Sequence, residues 1–124
     1  DVDAPRHDVG GDEHAATAAL ELAERESLPD FRLLGIALAQ HTLGHKDLSD
    51  AAVSQLIANH SNEAAYQIAE ACAWRGEIDR SFEWLERAYI QRDPGLGHTA
   101  TDSFFRPLHG DPRWLPFVKK MGFS

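Results

Sequence analysis

The sequence is poor in the features that mark secreted and membrane proteins. Its single cysteine, Cys72, rules out an internal disulfide framework and fits a reducing compartment. No apolar run approaches the roughly 18–20 residues needed to span a bilayer, and the N-terminus has no signal-peptide pattern. We therefore expect a cytoplasmic protein without membrane insertion. Because the chain begins without Met, we also expect it to be a fragment or a processed product of a longer protein.

Basic residues are scarce as well. The chain has 12 Lys and Arg against 20 Asp and Glu, a net charge of −8. Residues 1–30 carry nine acidic and two basic residues, a charge of −7, whereas residues 31–124 carry eleven and ten, a charge of −1. A nucleic-acid binder needs a basic stripe that displaces counterions from phosphates, and this sequence has none. We expect no nucleic-acid partner.

No segment alternates apolar and polar residues for long enough to form a strand, so the sequence predicts an all-α protein. Residues 1–12 have no apolar period and contain Pro and Gly, which predicts a flexible lead-in. The first helix is predicted to begin near Glu13 and to end before Pro29, because the residue before a proline avoids the α region. Its predicted buried face consists of Ala15, Ala18, Ala19, Leu22 and Ala23.

Helix caps and breakers divide the rest of the chain. Gly44 and Gly76 end two predicted helices, two more lie over residues 47–60 and 78–92, and Asp93-Pro94-Gly95 breaks the last of these. The tail is predicted to hold two short helices, one capped by Asp111 with Pro112 at its first position. The apolar residues of the tail are too numerous for a solvated segment, so we expect them to seal one end of the domain: Phe104, Phe105, Leu108, Trp114, Phe117, Val118 and Met121.

The two predicted helix pairs resemble each other. Aligning Gly44 with Gly76 defines the repeat period. The first helices then match as Ile36 with Ile68, Ala37 with Ala69 and Gln40 with Cys72. The second helices match best at a spacing three positions shorter, as Ala52 with Ser81, Val53 with Phe82 and Leu56 with Leu85. This difference predicts a turn three residues longer in the first pair, over residues 45–50.

A two-helix unit with a period of roughly 32 residues resembles the tetratricopeptide repeat. The second pair carries the family's pattern of large and small residues at Ile68, Ala69, Cys72, Gly76, Ser81, Leu85 and Ala88, followed by Pro94. The resemblance implies an α-solenoid of antiparallel helix pairs over residues 13–122, with about two repeats, a leading half repeat and a C-terminal cap at 101–122. The tail is similar to segments that close such arrays in bacterial multidomain proteins.

For function, the resemblance implies a non-catalytic scaffold that binds a protein or peptide through its concave face, where first helices of the repeats line a groove. The groove residues would be Leu34, Leu38, His41, Tyr66, Glu70 and Trp74. Aromatic and acidic groups there suit an extended peptide with an apolar anchor and a basic group. In the other arrangement, the C-terminal helices fold back and bury Tyr66 and Trp74 as core.

Catalytic and metal chemistry find little support in the sequence. Ser54, Ser81 and Ser103 lie in contexts explained by helix surface, packing and capping, and Cys72 lies on a packed face. His41, His45 and Asp47 lack the fixed spacing of a metal site. We therefore expect no enzyme activity, no cofactor and no metal. The alternative function is a small-molecule or metal-responsive sensor domain of a larger protein.

The first helix lacks the partner helix of a complete repeat, so Ala19, Leu20 and Leu22 include apolar surface without its usual cover. A second copy of the chain would supply it in a two-fold dimer. Repulsion between the two acidic segments opposes this contact. We expect a monomer or a weak homodimer.

Overall fold

The computed structural model describes residues 3–122, and the side chains of residues 13–122. Every regular element in this range is helical and none is a strand, which confirms the all-α prediction. The α-helices are α1 (Asp3–Glu24), α2 (Pro29–Thr42), α3 (Lys46–His60), α4 (Ala65–Trp74), α5 (Ile78–Gln91) and α6 (Trp114–Lys120). Two 3₁₀ helices, η1 (Pro94–Thr101) and η2 (Ser103–Leu108), lie between α5 and α6.

The flexible lead-in predicted over residues 1–12 stays a prediction. Residues 1–2 lie outside the described part of the chain, and residues 3–12 are described only by their helical backbone. No helix of the described residues is both long and apolar enough to cross a bilayer.

The chain divides into two compact units, Asp1–Leu56 and Ile57–Ser124. In the first unit, α1 and α2 form a packed pair joined by a short link. Gly35 of α2 lies against Ala23 of α1, so closely that a Cβ at position 35 would be 2.6 Å from the Cβ of Ala23. The missing side chain therefore permits a close approach of the two helices.

The buried face of α1 differs from the predicted one. Ala16 is buried and Leu20 and Ala23 are half-buried, whereas Leu22 is 69% exposed. Alanines stand on nearly every side of this helix, so apolar spacing alone does not fix its rotation. The predicted residues that turn out to be exposed are Ala15, Ala18, Ala19 and Leu22.

The turn that ends α2 is repeated at the end of α4. Gly44 and Gly76 have φ of 85° and 81°, a left-handed conformation that glycine adopts without steric cost. The amide of His45 donates to the carbonyl of Gln40 at 2.8 Å, and the amide of Glu77 donates to that of Cys72 at 2.8 Å. Both helices thus end in a Schellman motif.

The second helices repeat at the same period. Ser49 Oγ donates to the carbonyl oxygen of Ala37 at 2.8 Å, and Ser81 Oγ donates to that of Ala69 at 2.8 Å. The starts of α3 and α5 are separated by the same stretch of sequence as Gly44 and Gly76. The shorter spacing predicted for the second helices was therefore wrong, and the first turn is not longer. The sequence alignment matched Ser81 by size to Ala52, whereas the residue with the same hydrogen bond is Ser49.

In the second unit, α4 packs on α5, and η1 and η2 cover another side of α4. The fully buried side chains of this core include Ile68, Leu85, Phe105 and Leu108. The rest of the apolar tail also packs as predicted: Trp114, Phe117 and Val118 are buried, and Phe104 and Met121 are half-buried.

The predicted break after α5 is confirmed. The helix ends at Gln91, and Arg92 adopts a left-handed φ of 56° before Pro94. The predicted start of the last helix was wrong: α6 begins at Trp114 with Arg113 as its N-cap, so Pro112 is not its first residue. Asp111 caps the turn before α6 instead, since its Oδ1 accepts from the amide of Arg113 at 2.9 Å.

Candidate functional site

The six residues predicted to line a groove belong to both units. Leu34, Leu38 and His41 are on α2 in the first unit. Tyr66, Glu70 and Trp74 are on α4 in the second. At the spacing of the two turn glycines, Leu34 is equivalent to Tyr66 and Leu38 to Glu70.

On α2, Leu34 is buried, and Leu38 and His41 are half-buried. His45, in the following turn, contacts Gln40 through Nδ1 and Oε1 at 2.7 Å. Within residues 13–122, no group of three or more His, Cys, Asp and Glu side chains could hold a metal ion.

On α4, Tyr66, Glu70 and Trp74 are four residues apart and share one face of the helix. Tyr66 is 3% exposed, Glu70 is 9% exposed and Trp74 is 40% exposed. The chain's own C-terminal segment, through η1 and η2, covers the first two. The burial of Tyr66 agrees with the second arrangement considered from the sequence, in which the C-terminal helices fold back over this residue. Trp74 is therefore accessible to solvent, whereas Tyr66 and Glu70 are not.

The N-terminus of α4 is capped from a distance. Ala64 has no side chain that caps, and the amide of Tyr66 donates instead to Asp93 Oδ2 at 3.2 Å. Asp93 Oδ1 accepts from the amide of Gly95 at 2.9 Å. A carboxylate is favourable here because it satisfies a free amide and complements the helix dipole. The same contacts fix the start of η1 to α4.

The buried Tyr66 and Glu70 form a hydrogen-bonded cluster with the half-buried Asp102. The Tyr66 hydroxyl donates to Asp102 Oδ2 at 2.6 Å, and the carboxyl of Glu70 is also hydrogen-bonded to Asp102. Asp102 Oδ1 accepts from the amide of Phe104 at 2.9 Å, so this carboxylate joins η2 to α4.

The two carboxyl groups of the cluster have pKa values shifted in opposite directions. Burial, together with the hydrogen bond and negative charge of Asp102 and the charge of Asp93, raises the pKa of Glu70 to about 10. Burial alone would raise the pKa of Asp102, but hydrogen bonds from Glu70, Tyr66 and a backbone amide outweigh it and lower that pKa, with a smaller contribution from His98. At neutral pH, Glu70 therefore keeps its proton and donates a hydrogen bond to the Asp102 carboxylate.

Aromatic contacts complete this interface. The ring of Tyr66 meets Phe105 edge-on at a centroid distance of 5.4 Å, and Trp74 meets Phe104 edge-on at 5.5 Å. Gly95 lies flat against the Tyr66 ring, where a Cβ would come within 2.6 Å of a ring carbon. Burial and the Asp102 carboxylate both raise the pKa of Tyr66, which keeps its hydroxyl as a donor.

A protonated Glu beside an ionised Asp resembles an acid–base pair. However, Glu70 is buried under η2, and Tyr66, Glu70 and Asp102 line neither the cavity beside Phe82 nor the one beside Tyr89. Cys72 is fully buried on the same helix, and burial raises the pKa of its thiol to about 11. The arrangement holds the C-terminal segment on α4, and the half-buried Asp102 carboxylate is the part of the cluster nearest to solvent.

The sequence did not predict a second feature of this unit, an open groove between α5 and α6 with a volume of about 740 Å³. Ion pairs join its walls at two places, Arg113 with Asp79 at 2.8 Å and Lys120 with Glu86. We call it the α5–α6 groove. It is lined by Asp79, Phe82, Glu83, Glu86, Pro112, Arg113, Pro116, Phe117 and Lys120.

A signal for this groove exists in the sequence. Asp79 and Glu86 are seven residues apart, and so are Arg113 and Lys120, so each pair lies on one face of its segment. Asp79 pairs with Arg113, and Glu86, further along α5, pairs with Lys120, further along the chain than Arg113. α5 and α6 therefore run in the same direction. Only the structure identifies which charges pair.

Comparisons with protein-family models, with curated proteins and with solved structures give no match to this chain. A functional conclusion therefore has to come from the chain's own residues and geometry.

Proposed function

We propose that the chain is a non-catalytic interaction module built from tetratricopeptide-like helical repeats, and that it binds a protein or peptide. The observation that supports this most is the repeated unit itself. The Schellman turn at Gly44 recurs at Gly76, and the serine-to-carbonyl hydrogen bond of Ser49 recurs at Ser81, with the same spacing in both cases. Stacked helix pairs of this kind present extended surfaces whose usual role is binding.

The C-terminal segment supports the same interpretation. The ion pairs from Asp79 to Arg113 and from Glu86 to Lys120 each span 34 residues, about one repeat length. The order of these two ion pairs makes α6 parallel to α5, and η2 packs on α4. We propose that residues 94–122 are a degenerate final repeat that also serves as the C-terminal cap.

The accessible part of the predicted concave face in this unit is the aromatic pair Trp74 and Phe104. Trp74 is 40% exposed, and Phe104 is half-buried beside it. Tryptophan is enriched among residues that dominate binding energy, because it buries a large area with few rotatable bonds. We propose that Trp74 holds the apolar anchor of a peptide partner. Leu38 and His41 would belong to the equivalent face in the first unit.

Selection from a displayed random-peptide library on the folded chain tests this proposal, with heat-denatured chain as the background. Peptides selected by the wild type should lose about tenfold or more in affinity for Trp74→Ala, since truncating a central aromatic anchor typically costs at least 1–2 kcal/mol. Tyr89→Ala is the matched control, because Tyr89 is also 40% exposed. Failure to select any peptide, or equal binding by both variants, would count against the Trp74 site.

A sensor of small molecules or metal ions is the second candidate, and the α5–α6 groove favours it because its volume is typical of small-ligand sites. A thermal-shift screen with metabolites and divalent metals separates the two. A ligand that binds only the native state raises the unfolding temperature by mass action. Strong stabilisation by one compound would favour the sensor, and no shift would favour the interaction module.

A further inference from the structure

We infer that the α5–α6 groove binds a basic segment of a partner protein, in which a Lys or Arg side chain pairs with Glu83 and an apolar neighbour packs on Pro112 and Pro116. This inference rests on the proposed function and adds to it a second surface and the chemistry of the partner. It concerns a different face of the unit from Trp74.

The charges of the groove are only partly neutralised. Asp79 is paired with Arg113 at one end, and Glu86 is paired with Lys120 at the other. Glu83 lies between them on α5, exposed, and has no ion-pair or hydrogen-bond partner among the described residues. The groove therefore holds one negative charge that a cation from outside can neutralise.

Arg87, four residues after Glu83, would be the expected partner within the helix. Its guanidinium instead stacks over the ring of Trp84, at 4.8 Å from the centroid. The two basic residues of the groove are likewise engaged, since Arg113 lies over Phe82 at 4.5 Å and Lys120 over Tyr89 at 4.5 Å. Within the described part of the chain, no cation of the groove is left to compensate Glu83.

The apolar lining suits a peptide. The buried Phe82 and Phe117 line the groove, and Pro112 and Pro116 are exposed on the α6 side. Asp79 and Glu86 are two helical turns apart, which is about 10 Å at 1.5 Å per residue. This length accommodates about three residues of extended chain. Such a segment is long enough for a basic side chain with apolar residues on both sides.

Three carboxylates, on Asp79, Glu83 and Glu86, line the groove against two basic side chains, so its local charge favours a basic partner over an acidic one. A carboxylate–guanidinium hydrogen bond at the rim of an apolar groove is stronger than a neutral one. The stack of Arg113 on Phe82 shows that an aromatic ring of this groove accepts a guanidinium face. These features favour arginine as the residue that enters.

The test titrates the full chain into a fluorescein-labelled peptide in which arginine alternates with proline and leucine, followed by fluorescence anisotropy. A second peptide carries glutamate in place of each arginine. The protein variants are Glu83→Gln, Glu83→Lys and the control Glu21→Gln, which removes one exposed charge from α1 in the first unit. Circular dichroism checks that each variant remains folded.

We expect the wild type to bind the arginine peptide and not the glutamate peptide. Glu83→Gln should weaken binding about tenfold and Glu83→Lys more than that, whereas Glu21→Gln should stay within about twofold. Absence of binding to the arginine peptide, or equal affinity of Glu83→Gln and the wild type, overturns the inference. The proposed function would survive either result if library-selected peptides still depend on Trp74, so the two failures are distinguishable.

Discussion

Ser81, in the first turn of α5, donates its hydroxyl hydrogen to the carbonyl oxygen of Ala69, in the middle of α4. Both residues are fully buried. The contact joins the two helices of one repeat across 12 residues of sequence, and Ser49 makes the same contact to Ala37. A hydroxyl at this position is thus a structural part of the unit and not a solvent-facing polar group.

Ser81→Ala should lower the free energy of unfolding by about 1 kcal/mol, the typical net value of a buried neutral hydrogen bond. Ser54→Ala is the control, because Ser54 is exposed on α3 and alanine is the better helix former. Urea unfolding monitored by circular dichroism measures both. Equal stability of the two variants would show that the serine contact contributes nothing to the repeat.

Glu70→Gln should change how stability depends on pH. The pKa of Glu70 is raised to about 10 in the folded protein from 4.5, so the stability it contributes is complete below pH 4.5 and is lost as pH rises toward 10. Glutamine keeps a donor for Asp102 without titrating. The free energy of unfolding of the variant should therefore equal that of the wild type near pH 5. At higher pH it should exceed that of the wild type by up to about 1.4 kcal/mol per pH unit.

Chemical unfolding at several pH values between 5 and 9 measures this difference. Glu83→Gln is the control, because it makes the same change at an exposed residue outside the Tyr66–Glu70–Asp102 cluster. Asp102 affects the pH dependence of stability with the opposite sign. Because its pKa is lowered in the folded protein, the stability it contributes is lost only as pH falls through the acid range. Parallel curves for Glu70→Gln and the wild type would exclude a buried proton at Glu70.

Gly95→Ala should destabilise the protein by about 2 kcal/mol, because overpacking of this kind forces a rigid neighbour to move. The new Cβ would lie 2.6 Å from the Tyr66 ring, and that ring is held by Phe105 and by the hydrogen bond to Asp102. Gly97→Ala in the same 3₁₀ helix meets no atom within 4 Å and serves as control. Thermal unfolding should show a clear loss for the first variant only. A loss for both would mean that the helix backbone, not the tyrosine ring, sets the requirement.

Self-association should be weak and should strengthen with salt. Leu22 is 69% exposed on α1, while residues 1–30 carry a charge of −7 that repels a second copy until it is screened. Leu22→Glu should abolish the association, and Leu115→Glu, at a leucine 68% exposed in the second unit, should not. Sedimentation at two salt concentrations distinguishes these cases. A salt-insensitive dimer would place the interface elsewhere.

Local signals predicted the helices well. Gly44 and Gly76 act through their own φ angles, so the sequence near each of them determines where α2 and α4 end. Pro29 does not end α1, which stops at Glu24; it is instead the first residue of α2. The register of the second helices depends on a hydroxyl that bonds a carbonyl 12 residues away, which residue size alone did not identify. The predicted buried face of α1 was wrong because alanines make the sides of this helix nearly equivalent.

The candidate site was less predictable for a related reason. The spacing of Tyr66, Glu70 and Trp74 placed them on one face of α4, but their exposure depends on where η1 and η2 pack. Asp102 was not identified, because nothing near it in sequence indicates that its carboxylate meets Glu70. The α5–α6 groove depends on pairing between segments 34 residues apart, which a single sequence does not specify.

The capping of α4 by Asp93 has a consequence for the order of folding. With ten residues, α4 is shorter than helices that are stable alone in water, and its own N-terminal residue offers no cap. The carboxylate that binds its second amide lies 27 residues further along the chain. During synthesis, α4 is therefore incomplete until α5 and the following turn have left the ribosome.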